Sequence, residues 1–151
     1  MSVAQLWEGE IVGDYWPVVP NGKYSARLVH FETAIVFSPK VFLHFEILTP
    51  GPHQGVRLFR AYRVHQLRGR PRRRGQFKLR AGSDLYRTIC RLTPAKKRPD
   101  RIALTPLMRL VLQISTRTVT TDSKQRPLPD SCRYSVVDDI LKVEAGNNDT
   151  L

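Results

Sequence analysis

The chain has 151 residues, with 25 Lys and Arg against 13 Asp and Glu, for a formal net charge of +12. At 41% hydrophobic and 25% charged it has the composition of a folded domain rather than a disordered chain, and a chain of this length buries ~70% of its unfolded surface without needing staples. No apolar run approaches the ~20 residues of a transmembrane helix, and the opening MSVAQLWEGE has neither the basic nor the apolar region of a secretory leader. Two cysteines, Cys90 and Cys132, do not make a disulfide framework, so the expectation is a cytoplasmic protein with reduced thiols and no membrane partner.

Along the chain, GEIVGDYW offers a short strand before Pro17 and Pro20, and Trp7, Tyr15 and Trp16 are expected to cover one end of the fold. Residues 22–37 read as a strand whose parity switches. Tyr24, Ala26 and Leu28 share one face, whereas Phe31, Ile35 and Phe37 have the opposite parity, which predicts a bulge or sharp bend near Val29–His30. After Ser38-Pro39, residues 40–48 alternate, with Val41, Leu43, Phe45 and Ile47 on one face and Phe42 and His44 on the other. TPGPHQG is a turn, and residues 56–67 form a third strand.

Residues 68–82, rich in Gly and Arg, predict a loop or mobile hairpin. Ser83 is the expected N-cap of a short helix over 84–92, with Leu85, Ile89 and Leu92 as its apolar stripe and Pro94 as its stop. Strands follow at 107–120 and 132–143. The domain boundaries predicted are an N-terminal extension over 1–21, a folded domain over 22–143 with a basic insertion at 68–82, and a disordered tail over 144–151.

The charge is concentrated: residues 57–101 hold 16 of the 25 basic residues and only two acids, Asp84 and Asp100, a local net charge of +14. Most of those cations are Arg, whose planar fork binds phosphate oxygens and stacks on flat rings. A one-sided field of this kind draws polyanions.

A bent first strand, two more strands, a helix, and two further strands is the element order of an OB-fold, a five-stranded barrel with one short helix between strands 3 and 4; another small barrel or sandwich is the rival. Such folds bind oligonucleotides on the face of strands 2 and 3 and on the loops after strands 1 and 4. Single-strand binders combine a basic groove with aromatic platforms, since every base has a π-face. Strand 3 mixes Arg57, Phe59, Arg60, Tyr62, Arg63 and His65, and the hydroxyl-rich run Ser115–Thr121 around Arg117 is placed to line the loop after strand 4.

The segments VPNGKYSARLVHFE, PKVFLHFEILTPGPHQG with its following basic strand, and SDLYRTICRL resemble the OB-fold single-stranded-DNA-binding proteins of phages and mobile elements, over roughly residues 20–143. The resemblance implies binding of single-stranded DNA with little sequence preference, in replication or recombination. It departs at the end of the chain, where NNDTL replaces the acidic tip finishing in Pro-Phe that recruits replication partners in cellular relatives; the acidic, apolar Val137–Leu141 is internal.

The residues expected to bind nucleic acid are Phe42, Arg57, Phe59, Arg63, Arg72, Arg73, Arg74, Phe77, Lys78 and Arg117. Phe77, in the basic loop, either stacks a base or anchors the loop. The expected partner is single-stranded DNA, with RNA as the alternative, and a homo-oligomer is compatible with either. Two other readings are an RNA-binding regulator and a protein-interaction module such as a counter-defence factor. No enzyme is expected: Asp138 and Asp139 are adjacent and point to opposite faces of a strand, no spacing makes Glu32, Glu46 and Asp84 converge, and no phosphate loop or nucleophile signature is present. His30, His44, His53, His65, Cys90 and Cys132 show no zinc-ligand spacing, so neither metal nor cofactor is expected.

Overall fold

Alternation of apolar and polar residues builds the sheet. The structure, a computed structural model, describes residues 17–93 and 104–146. Strand β1 (Lys23–Val36) pairs antiparallel with β2 (Ser38–Ile47), and β2 with β3 (Arg57–Arg63). In β2 the side chains of Val41, Leu43, Phe45 and Ile47 are fully buried, and Lys40, Phe42, His44 and Glu46 lie half-buried on the opposite face. The parity switch in β1 is a bulge between Leu28 and His30: Ala26 and Leu28 face the core before it, Phe31 and Thr33 after it. A bulge adds one residue to one strand only, so a chain that would turn its apolar set outward recovers the core face.

The rest of the sheet comes from β6 (Leu110–Val119) and β7 (Tyr134–Gly146), giving the antiparallel order β3-β2-β1-β6-β7. Between β3 and β6 lie a small hairpin of β4 (Gln66–Arg68) and β5 (Gln76–Lys78), and helix α1 (Asp84–Leu92). Among the described residues the fold is mainly β, with one α-helix. The two edge strands of the sheet face each other: Arg60 Nη1 donates to Asp138 O across the gap at 2.9 Å. No ladder joins β3 to β7, so the sheet is not closed into a barrel.

Helix α1 begins as its sequence dictates. Ser83 Oγ accepts from Tyr86 N–H at 3.3 Å, and Leu85, Thr88, Ile89 and Leu92 are buried. Its cap satisfies one of the N–H groups that the first turn cannot satisfy itself. One core runs through both ends of the sheet and the helix, including Leu28, Phe45, Ile89, Leu112 and Ile140.

Several boundaries differ from the sequence reading. The third strand stops at Arg63, where Val64 is buried and donates its N–H to Pro39 O, and a new hairpin starts at Gln66. The start of the expected strand at 107–120 is a 3-10 turn over Thr105–Arg109 with Pro106 in its first turn, and the strand itself begins at Leu110. The last strand runs to Gly146, so Glu144–Gly146, expected in a disordered tail, belong to the strand instead: Ala145 opposes Val111 and Gly146 opposes Leu110, with Glu144 at a register shift. Pro17–Asn21, expected in the extension, adheres to the domain, with Val19 buried and its N–H given to Ser135 Oγ at 2.8 Å. The expected short strand, Trp7, Tyr15, Trp16, Pro94 and residues 147–151 lie outside the described residues. No helix among the described residues is long and apolar enough to cross a membrane.

Candidate nucleic-acid interface

The face of the sheet opposite the core carries a row of rings. Register places His30 of β1 opposite His44 of β2, and His44 opposite Phe59 of β3. The His30 and His44 rings stack at 5.3 Å between centroids, His44 and Phe59 lie 6.3 Å apart, and Phe42 meets Phe59 on the diagonal at 5.7 Å. Across the open edge, Tyr134 of β7 stacks on Phe59 at 6.3 Å with the planes 17° apart. These separations are those of favourable offset pairs. All five rings are partly buried, so each is steadied by its neighbours and still offers surface to solvent. The row rests on the bulge: without it Val29 would stand opposite His44, because Leu28 pairs with Phe45 just before it.

Arginines border the row. Arg57 and Arg63 share the outer face of β3 with Phe59 and are exposed. Arg72, Arg73 and Arg74 are exposed as well, yet their backbone is not loose. Strand β6 pairs only with Lys23–Ala26 of β1, which leaves the far half of β1 with a free edge. The arginine segment takes that edge: Thr33 N–H donates to Arg72 O and Arg74 N–H to Phe31 O, both at 2.9 Å, and Arg72 N–H donates to Thr33 Oγ1 at 3.0 Å. The expected mobile loop is thus docked as an irregular extra strand, with Arg73 bridged to Glu32. Among the described residues none of these five arginines is ion-paired.

Arg117 is exposed on β6 and pairs with Asp138 Oδ1 at 3.1 Å. With Phe59 and Tyr134 it lines an open groove of about 530 Å³ between β3 and β7. Lys78 is half-buried on β5. Phe77 corrects the sequence reading: it is only 8% exposed and belongs to the core with Leu79, so it anchors the hairpin and offers no platform to a base. The hydroxyl run is also partly committed. Thr116 is buried and its Oγ1 accepts from Gly22 N–H, and Thr118 Oγ1 donates to Asn21 Oδ1.

Glu32 sits between the two histidines, with Oε1 at 3.1 Å from His44 Nε2 and Oε2 at 3.7 Å from His30 Nε2. Burial holds the His30 imidazole below its ordinary pKa; the nearby Arg73 charge and His44 push the same way, and Glu32 opposes them. The balance of these effects favours the neutral imidazole.

The structure brings Phe42, Phe59, Arg57 and Arg63 together on one face, sets Arg73 beside it, and places Arg117 at its far border. Sequence reasoning missed His30 and Tyr134 as members. The parity switch was the available signal for His30; Tyr134 arrives across a gap between strands that no local pattern encodes. Compared with known proteins, the chain matches no family model, no curated protein and no solved structure.

Proposed function

We propose that this chain binds single-stranded nucleic acid, DNA in the first instance, with little sequence preference, on the outer face of β1, β2 and β3. The observation that carries the reading is the ring row His30–His44–Phe59–Tyr134, with Phe42 beside it, bordered by arginines of which Arg57, Arg63 and Arg72–Arg74 have no acidic partner among the described residues. Bases stack on the exposed parts of Phe42, Phe59 and Tyr134, and the phosphates follow Arg57, Arg63, Arg73 and Arg117. Stacking on a π-face accepts any base, so affinity comes without readout. The order β3-β2-β1-β6-β7, with a helix before β6, is compatible with an OB-fold opened between its third and fifth strands, which supports the same reading. On it, the chain acts in replication or recombination of a phage or mobile element.

A titration of fluorescent dT oligomer against matched RNA and duplex, at several salt concentrations, tests this. Each phosphate contact on a single strand contributes a slope of about −0.7 in log K against log[salt], so four contacts give a slope near −2.8. A slope shallower than about −1.5 overturns the groove and leaves the arginines as a solvated face. Preference for RNA selects the regulator reading.

One observation favours a second reading, a protein-interaction module. The tip of the β1–β2 hairpin exposes Ile35, Val36 and Phe37, the last 93% exposed and held at φ +65°. A bulky apolar residue in left-handed backbone at a solvent-exposed tip is costly and serves contact rather than stability. Under this reading Phe37→Ser abolishes partner capture and leaves oligonucleotide affinity unchanged.

A further inference from the structure

Among the described residues one cluster has the composition of a metal centre: His30, Glu32 and His44, whose ligating atoms lie within 4.8 Å of one another. The three come from two strands. His30 and Glu32 are two apart on β1 and so share a face, and His44 is opposite His30 in register. The strand spacing does the work that close spacing along the chain does in a zinc finger. This is why no ligand pattern is visible in the sequence.

We propose that His30, Glu32 and His44 bind one divalent ion of the zinc type, through two imidazole Nε2 atoms and one carboxylate. Two nitrogen or oxygen ligands, each about 2.0–2.1 Å from a tetrahedral ion, stand about 3.4 Å apart. The measured separations from Glu32, 3.1 Å to His44 Nε2 and 3.7 Å to His30 Nε2, bracket that value. Both imidazoles are about four-fifths buried, so their orientation is held by packing, while Glu32 is more open and leaves solvent access. Two His and one Glu is a borderline N/O donor set that suits zinc over calcium or magnesium, which prefer all-oxygen shells. Three protein ligands leave a fourth position for water or an exogenous ligand.

Charge is compatible. Arg73, bridged to Glu32, opposes a cation, but the Glu32 carboxylate between the imidazoles offsets it. This site does not depend on the nucleic-acid reading, because metal uptake is measured with no oligonucleotide present.

The test uses the full chain, prepared without a polyhistidine tag and stripped with chelator. Calorimetry with Zn²⁺ and visible absorption with Co²⁺ are the two readouts. The expected result is one saturable equivalent, with cobalt bands of an N/O site and no thiolate charge-transfer band. His44→Ala and Glu32→Gln should each weaken uptake by at least about tenfold, and His53→Ala should leave it unchanged. Glu32→Gln keeps shape and hydrogen bonding, so it stays informative if His44→Ala fails to fold; circular dichroism melts on the same samples decide that. No saturable uptake at millimolar metal, uptake unaffected by Glu32→Gln, or a thiolate band that disappears in Cys132→Ser overturns the proposal.

Discussion

The ring face and the arginine segment lie side by side, and they are held in different ways. On the face, each ring is placed by ladder register and by the ring next to it: Phe59 touches Phe42, His44 and Tyr134 at once. Over Arg72–Arg74, only the backbone is fixed, by bonds to Thr33 and Phe31 on the free edge of β1, and the side chains reach into solvent. The first arrangement holds surfaces at set distances, as stacking requires. The second holds charge near a place without fixing its direction, as a flexible phosphate backbone requires. A binding face of this kind divides labour between a rigid platform and a tethered, adjustable fringe.

The sharpest way to separate the two is through the residue that anchors the fringe. Phe77 is buried opposite Leu67 in the β4–β5 hairpin. Phe77→Ala should cost about 3–5 kcal/mol of stability in urea denaturation, as for other buried Phe truncations. Unchanged stability with weakened oligonucleotide binding would move Phe77 from the anchor to the platform and erase the distinction.

Next is Gly75, where the fringe touches the strand. A Cβ there would lie 2.4 Å from Thr33 Oγ1, and Thr33 is buried. Gly75→Ala should therefore destabilise by about 1–3 kcal/mol, the usual cost of overpacking, and increase amide exchange at Thr33 and Arg74. Protection that stays at the wild-type level would show that the segment is not docked.

Phe59 probes the platform. Phe59→Ala removes the ring shared by the whole row, and oligonucleotide affinity should fall by about 1–3 kcal/mol, tenfold for each ~1.4 kcal/mol. Because Phe59 is half-buried, its melting temperature should fall less than that of Phe77→Ala. Affinity and melting measured on the same preparation read this directly; a large loss of stability with unchanged affinity assigns the ring to packing alone.

The smallest effect on the fold is expected from the fringe charges. Replacing Arg72, Arg73 and Arg74 together with Ala should make the salt slope shallower by about 0.7, the share of the Arg73 contact, with the melting temperature unchanged, since the docking bonds use backbone and Thr33. A fall of more than about 3 °C, roughly 1 kcal/mol for a chain this size, would mean that the guanidinium groups are structural.

Local pattern by itself determined much of this protein. The strict alternation of Val41, Leu43, Phe45 and Ile47 defined both faces of β2, the parity switch between Leu28 and Phe31 announced the bulge, and Ser83 with Leu85, Ile89 and Leu92 defined the helix. These features are legible because side-chain direction repeats every two residues in a strand and every 3.6 in a helix. The same logic put Phe42 and Phe59 on one outer face. It applied to Phe77 as well, which shares its parity with the buried Leu79, but the surrounding cations hid the pattern. What only the tertiary structure decided is who meets whom. The bulge shifts register by one residue, so His30 rather than Val29 faces His44 and Glu32 falls between two imidazoles. The short pairing of β6 leaves the edge of β1 that the arginine segment occupies, and the approach of β7 to β3 brings Tyr134 onto Phe59. Facing is a property of consecutive residues, whereas neighbours across strands depend on register and on which edges remain unpaired, and those are set by the packing of the whole chain.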